Sequence, residues 1–206
     1  MANAKIRLLY FDGKARAEVA RLLLAAAGKE YEDVRFSMED WPKFKPSTPY
    51  GQAPALEVDG VMFAQSIAIW SFLAREFNFY GKNNLENFKI DELVQLYNDY
   101  FTKAADYMFH TDDETKKNEG IKKFKEEDAP RYLGFLEENL KKNGTGYFVG
   151  DSITLADIIA LDLNTGTLSS VVEITDDYPL LKKNLELVKG QDKIAAYLAS
   201  RKDTPW

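Results

Sequence analysis

The feature that most limits the fold is the point at which strand-like sequence stops. Residues 5–11, Lys-Ile-Arg-Leu-Leu-Tyr-Phe, form a short apolar run that reads as a buried strand. Asp12-Gly13-Lys14 breaks it. Ala15–Ala27 is rich in alanine, leucine and arginine, and Gly28 suits the end of that helix. Tyr31–Phe36 reads as a second strand, and Trp41–Lys45 as a short helical or irregular piece closed by a Pro46–Pro49 loop. Ala53–Ala64 is two strands joined at Asp59-Gly60, a strong hairpin signal. Ser66 opens a helix to about Phe77, with Ile67, Trp70, Leu73 and Ala74 on one face. From Asn84 onward nothing reads as a strand, so any sheet must come from the first 76 residues.

The rest of the chain has helical periodicity. Leu93, Leu96, Tyr97, Tyr100, Phe101, Ala104 and Met108 recur at steps of three and four, the pattern of a long amphipathic helix. A second long helix turns Phe124, Leu133, Leu136 and Leu140 inward, and Pro130 should kink or restart it. Thr154 and Asp157 are spaced as a capping box before the apolar run Ile158–Leu163. Helices over roughly 179–189 and 192–201 close the sequence. The expected fold class is an α/β domain followed by an all-α domain, with 1–76 in the first, 77–83 as linker and 84–206 in the second.

Composition narrows the chemistry. The 206 residues contain no cysteine, which excludes disulfides, zinc–thiolate sites, iron–sulfur clusters and a cysteine nucleophile. One histidine, His110, excludes sites needing two from this chain and reads as a surface or capping residue near a helix end. Twenty-seven lysines and arginines against 33 acidic residues give a net charge of −6, so nucleic acid is not an expected partner. The longest strongly apolar run, Leu22–Ala27, is too short to span a bilayer, and no signal-like core opens the sequence. A soluble cytoplasmic protein is expected. Asn143-Gly-Thr145 reads as a turn. There is no P-loop, no GxSxG, no HExxH, no EF-hand loop and no correctly spaced GxGxxG.

Three features point to a small-ligand site. Tyr10 ends the first strand, where residues of α/β sheets line a ligand crevice. Ala53-Pro54 precedes a strand that proline cannot enter except at its start. Only about 5–6% of X–Pro bonds in folded proteins are cis, so the residues alone favour trans. Gln65-Ser66 opens a helix with Ser66 as its cap, and free amides there suit a small carboxylate.

The element order, with a proline opening the third strand, resembles the thioredoxin fold, and the whole chain resembles a cytosolic glutathione transferase. The segments that carry the likeness are Leu9-Tyr10-Phe11, Arg16-Ala17-Glu18, Asp40-Trp41-Pro42, Gly51-Gln52-Ala53-Pro54, Leu56-Glu57-Val58-Asp59-Gly60, Gln65-Ser66-Ile67-Ala68-Ile69 and Leu155-Ala156-Asp157. Their detail is most similar to the sigma class, which includes haematopoietic prostaglandin D synthase-like enzymes. The resemblance implies a detoxifying transferase with glutathione as co-substrate, joining its thiolate to small hydrophobic electrophiles. Tyr10 would be the catalytic tyrosine, with Arg16 close to the thiol. Gln65 and Ser66 would hold the γ-glutamyl carboxylate, and the Ala53 backbone before a cis Pro54 would pair with the cysteinyl backbone. Trp41, Lys45 and Gln52 would contact the glycyl end. Asp99 would reach the glutathione amine across a homodimer interface, and Asp157 would be a structural cap. The electrophile would lie against Phe11 and the inward face of 97–108.

Two departures stand out. Ala15 occupies a place where the family commonly has glycine. The aspartates that bind a divalent ion in prostaglandin-isomerising members fall here at Gln95, Asn98 and Asp99, which argues against a metal-assisted isomerase. An endoperoxide isomerase and a non-enzymatic ligand-binding or lens-type protein are the alternatives on the same scaffold. With no cysteine in the chain, thiol chemistry requires that the substrate bring the thiol.

Overall fold

A computed structural model describes residues 4–204 and 206. Residues up to Phe79 together with Gly190–Trp206 form one compact unit, and Tyr80–Lys189 form another. The chain order in the first unit opens β1 (Ile6–Phe11), α1 (Ala15–Ala27), β2 (Glu32–Phe36) and α2 (Trp41–Phe44). Two single-turn 3-10 pieces, Lys45–Ser47 and Pro49–Gly51, lead to β3 (Ala55–Val58), β4 (Val61–Ala64) and α3 (Ser66–Glu76). The strands form one four-stranded sheet in the order β2-β1-β3-β4, with β1 parallel to β2 and the other pairs antiparallel.

Local chemistry explains the turns. Gly28 closes α1 in the left-handed conformation, φ 66°, donating to Ala25 O at 2.8 Å while Lys29 N–H reaches Leu24 O at 2.9 Å. Asp59 and Gly60 both take positive φ, 49° and 85°, as a two-residue hairpin turn requires. The Asp59 carboxylate also accepts from Lys5 N–H at 2.9 Å, which pins the hairpin to the start of β1. Alternation along β1 sends Leu9 and Phe11 to one face, with Phe36, Ala55, Trp41 and Phe44. Leu8 and Leu56 lie on the opposite face and are fully buried, and α1 packs against α3.

The second unit holds α4 (Asn84–Phe109), α5 (Glu114–Lys123), α6 (Ala129–Asn143), α7 (Leu155–Thr165) and α8 (Pro179–Lys189). Leu93, Tyr97, Phe101 and Ala104 on α4 are buried, and Leu96, Tyr100 and Met108 are half-buried. The break expected at Pro130 is a π-turn over Phe124–Asp128, in which Ala129 N–H reaches five residues back to Phe124 O. Proline cannot donate, so the chain changes its hydrogen-bond step before Pro130 and resumes as α6. Asp157 caps α7 from a fully buried position. It accepts from Thr154 N–H (2.8 Å), Phe148 N–H (3.1 Å) and Asn184 Nδ2 (2.7 Å). Asn143 holds the following turn through Tyr147 O and Gly150 O, both at 2.8 Å. His110 ends α4 with Nδ1 3.0 Å from Asp106. No helix among the described residues is long and apolar enough to cross a membrane.

The last helix departs from the expected grouping of 84–206. Helix α9 (Asp192–Ser200) belongs to the first unit and packs on α1. The reason is a buried charge cluster. Glu18 is 1% exposed and Arg21 0% exposed, and they meet at 3.2 Å. Glu18 also accepts from Tyr197 Oη and Arg201 Nη1, each at 2.9 Å. Arg21 donates to Gly13 O at 2.6 Å and to Asp33 at 3.2 Å. Breaking a buried ion pair by removing one partner costs about 3–5 kcal/mol, because the other charge stays buried. Glu18→Ala should therefore lower the unfolding free energy by about that amount, measured by urea denaturation.

Candidate active site

One row crosses three strands near the same end of the sheet. Leu9 is opposite Ala55, and Ala55 is opposite Ala64. One residue beyond that row lie Tyr10, Pro54 and Gln65, so three separately predicted residues share one end of the sheet. The Ala53–Pro54 bond is cis, against the expectation from the residues alone and as the family resemblance implies. Ala53 packs against the Leu9–Phe36–Ala55 cluster, and its backbone makes none of the turn and cap hydrogen bonds among the described residues.

Tyr10 is 7% exposed. Burial pushes its phenol above the usual tyrosine range, opposed by a hydrogen bond from the Arg16 backbone and by the charges of Arg16 and Arg21. The Arg16 amide donates to the phenol oxygen, which leaves the O–H proton free to be donated elsewhere. Arg16 O in turn accepts from Trp70 Nε1 at 3.1 Å, which fixes the first turn of α1 to α3. The Phe11 ring meets Tyr10 edge-on at 5.5 Å, Phe36 at 4.9 Å and Trp41 at 5.4 Å. Trp41 stacks on Phe36 at 5.4 Å, and Phe44 stacks on it at 4.7 Å. The aromatic cluster thus holds Trp41 beside the end of β1.

Gln65 carries an unusual backbone, φ 73° and ψ 106°, just before α3. It is the residue flanking the helix, whereas Ser66 is the first helical residue and does not cap it. The expected Ser66 cap is therefore corrected, because the chain turns into the helix one residue earlier. Ser66 is buried, so its hydroxyl and the amides of the first turn sit at the helix mouth. Gln65 Nε2 donates to Gln52 Oε1 at 2.9 Å, which joins the two exposed amides across the sheet end. The aliphatic stem of Lys45 lies along Gly51, whose φ is 59°. Asp99 is the exception: it is exposed on α4, in the second unit.

An open, mainly apolar pocket of about 450 Å³ adjoins Gln65 and is walled by Tyr50, Met62, Phe63 and Phe72. A larger one, about 520 Å³, lies in the second unit between Pro130, Leu133, Val172 and Tyr178 and contains no predicted site residue. Among the described residues, no three histidine, aspartate or glutamate side chains gather to hold a metal ion.

Known proteins match over nearly the whole chain. The glutathione S-transferase N-terminal domain family covers residues 4–75, and the C-terminal domain family covers 98–201. The chain belongs to the glutathione S-transferase family. It is 37% identical to S-crystallin SL11 of Nototodarus sloanii over 204 residues, 96% of this chain and 97% of that one. It is 35% identical to glutathione S-transferase 1 of Ascaris suum, over 97% of this chain and 98% of that one. The structure of rat hPGDS complexed with a quinoline superposes with a TM-score of 0.87, at 29% identity, covering 98% of this chain and all of that one. The protein is thus an enzyme of the transferase class with glutathione as co-substrate, and its reaction joins the glutathione thiolate to hydrophobic electrophiles.

One backbone feature had no signal in the sequence. Nothing about a glutamine foretells the positive φ of Gln65. Ala15 takes φ 34°, a conformation that costs a residue with a Cβ about 1–2 kcal/mol. Glycine within a helix costs about 1 kcal/mol relative to alanine, so in Ala15→Gly the two terms nearly cancel. Urea unfolding should show Ala15→Gly unchanged to within about 1 kcal/mol, while Ala26→Gly in the same helix loses about that much.

Proposed function

We propose that Tyr10 is the catalytic hydrogen-bond donor to the glutathione thiolate and that the sheet end beside it holds the tripeptide. The observation that carries this reading is the protonated, Arg16-oriented Tyr10 phenol on the same row as Pro54 and Gln65. Tyr10 and Gln65 are two strand spacings apart, roughly 10 Å. Three extended residues span about the same length. Ala53 would pair with the cysteinyl backbone in antiparallel fashion. Gln65, Ser66 and the first amides of α3 would take the γ-glutamyl carboxylate, and Gln52, Lys45 and Trp41 the glycyl end. Arg16 adds positive charge near the sulfur, and Phe11 offers an apolar surface to the acceptor.

The energetics suit the chemistry. A free thiol ionises near ~8.5, and a hydrogen bond to a charged group contributes about 1.5–3 kcal/mol, which corresponds to roughly one to two pKa units. That brings the bound thiol close to neutrality. Tyr10 itself is shifted upward, so it keeps its proton throughout the range in which the thiol titrates. The rate should therefore rise with pH as the thiol ionises and show no fall from loss of the Tyr10 proton below about pH 10.

The motif detail favours the sigma class and a detoxifying role in the cytoplasm. We also infer a homodimer in which the partner subunit's Asp99 meets the glutathione amine. Support comes from exposed apolar side chains on each unit, among them Tyr50 at 82% and Phe88 at 63% exposed, which a second copy would cover. The likeness to rat hPGDS favours a second reading, isomerisation of prostaglandin endoperoxides, while Gln95 and Asn98 weigh against its metal-assisted form. Product analysis with an endoperoxide separates the two reactions. A glutathione column with no retention and no turnover would favour a structural role.

Tyr10→Phe should lower kcat/KM toward a chlorodinitrobenzene-type acceptor about 10- to 100-fold near neutral pH and move the rising limb up by roughly one to two units. Unchanged neutral-pH activity would remove the tyrosine assignment. Asp99→Asn should raise KM for glutathione about threefold or more while leaving that limb in place. A monomer by light scattering would contradict the Asp99 role.

A further inference from the structure

The loop between Tyr10 and α1 is braced by a segment 190 residues further along the chain. Within the loop, Asp12 N–H bonds Phe36 O at 3.1 Å and Gly13 N–H bonds Phe11 O at 2.8 Å. Gly13 O accepts from Arg21. Those partners belong to the sheet and α1. The Lys14 amide differs: it donates to Trp206 O at 2.7 Å. Lys14 Nζ donates to Thr204 O at 3.1 Å, and Thr204 Oγ1 donates to the same Trp206 carbonyl at 2.9 Å. Lys202 Nζ bonds the Asp12 carboxylate, which holds that carboxyl below its usual range. The Trp206 ring lies directly on Gly13: a Cβ there would fall 2.1 Å from ring carbon Cζ3.

Lys14, with φ −81° and ψ −81°, feeds into the left-handed Ala15, and the next amide is that of Arg16 on the Tyr10 oxygen. The peptide held by Trp206 is therefore two residues from the donor that orients the phenol. Rotation of that peptide would carry the Arg16 amide off Tyr10.

We propose that Trp206 is a positioning residue for the transferase reaction. Its carbonyl fixes the Lys14 peptide, and its ring fixes Gly13. Together they keep the Arg16 amide on the Tyr10 oxygen and the phenol proton aimed at sulfur. Trp206 acts through the loop and not on the substrate. The proposal rests on the reading of Tyr10 as thiol donor.

The test is a double-mutant cycle followed by pH profile and by ultraviolet thiolate absorbance of the glutathione complex. Trp206→Ala should lower kcat/KM by about tenfold, since small misplacements of catalytic groups cost one to two decades. It should raise the bound-thiol pKa by about one unit, with glutathione affinity within about twofold of the parent. Both variants keep the backbone carbonyl, and Trp206→Phe, which also keeps an aromatic ring on Gly13, should recover most of the loss. In a Tyr10→Phe background Trp206→Ala should have little further effect, because coupled residues are not additive. Equal losses in both backgrounds, or an unmoved thiol pKa, would overturn the role of Trp206 and leave Tyr10 standing. Full activity in Tyr10→Phe alone would remove the site reading and this proposal with it. If Trp206→Ala does not fold, Thr204→Val deletes only the hydroxyl on the Trp206 carbonyl. Its loss should be about threefold with the same upward pKa shift, and an unmoved pKa overturns the proposal equally.

Discussion

A buried carboxylate, Glu18, and the guanidinium beside it, Arg21, organise the first unit. Two charges out of water are tolerable only when every strong lone pair and proton finds a partner. The chain meets most of this demand from four places, the loop carbonyl of Gly13, Asp33 on β2, and Tyr197 and Arg201 at the far end of the sequence, and leaves Arg21 Nη2 buried without a hydrogen bond. Because the partners are distant in sequence, the pair sets the path of the 12–14 loop and seats α9 on α1. The catalytic tyrosine proposed here begins that loop, so its surroundings descend from a charge pair that touches no substrate.

Local signals were legible where local chemistry decides the outcome. The Asp59-Gly60 hairpin, the Gly28 helix end, the Thr154–Asp157 box and the restart near Pro130 each depend on residues a few positions apart. The end of strand-like sequence after Ala64 located the sheet correctly. What failed was one step of register at Ser66, where the backbone of Gln65 and not the serine hydroxyl decides how the helix begins. Hydroxyl caps are a statistical preference, and a constrained turn at a sheet end overrides it.

The site was legible in residue types and much less in geometry. Tyr10, Ala53-Pro54 and Gln65-Ser66 could be singled out one by one, but only strand register brings them onto one row. The Gln52–Gln65 hydrogen bond and the seat of Trp41 on Phe36 arise from packing that no single window contains. The grouping of the last helix was hidden for the same reason. Its amphipathic pattern says that one face is buried, and says nothing about which unit buries it.

The return of residues 190–206 to the first unit bears on how the molecule is made. A chain emerging from the ribosome presents Glu18 and the Lys14 amide long before Arg201, Tyr197 and Trp206 exist. Until then the thioredoxin-like unit carries an acid with Arg21 as partner but without Tyr197 and Arg201, and an unfinished loop, while the intervening helices of 80–189 can already assemble. Domains generally fold as they are synthesised, N-terminal first. Here the first domain begun cannot be the first completed, and a nascent chain stalled short of residue 200 would hold a sheet without its closing contacts.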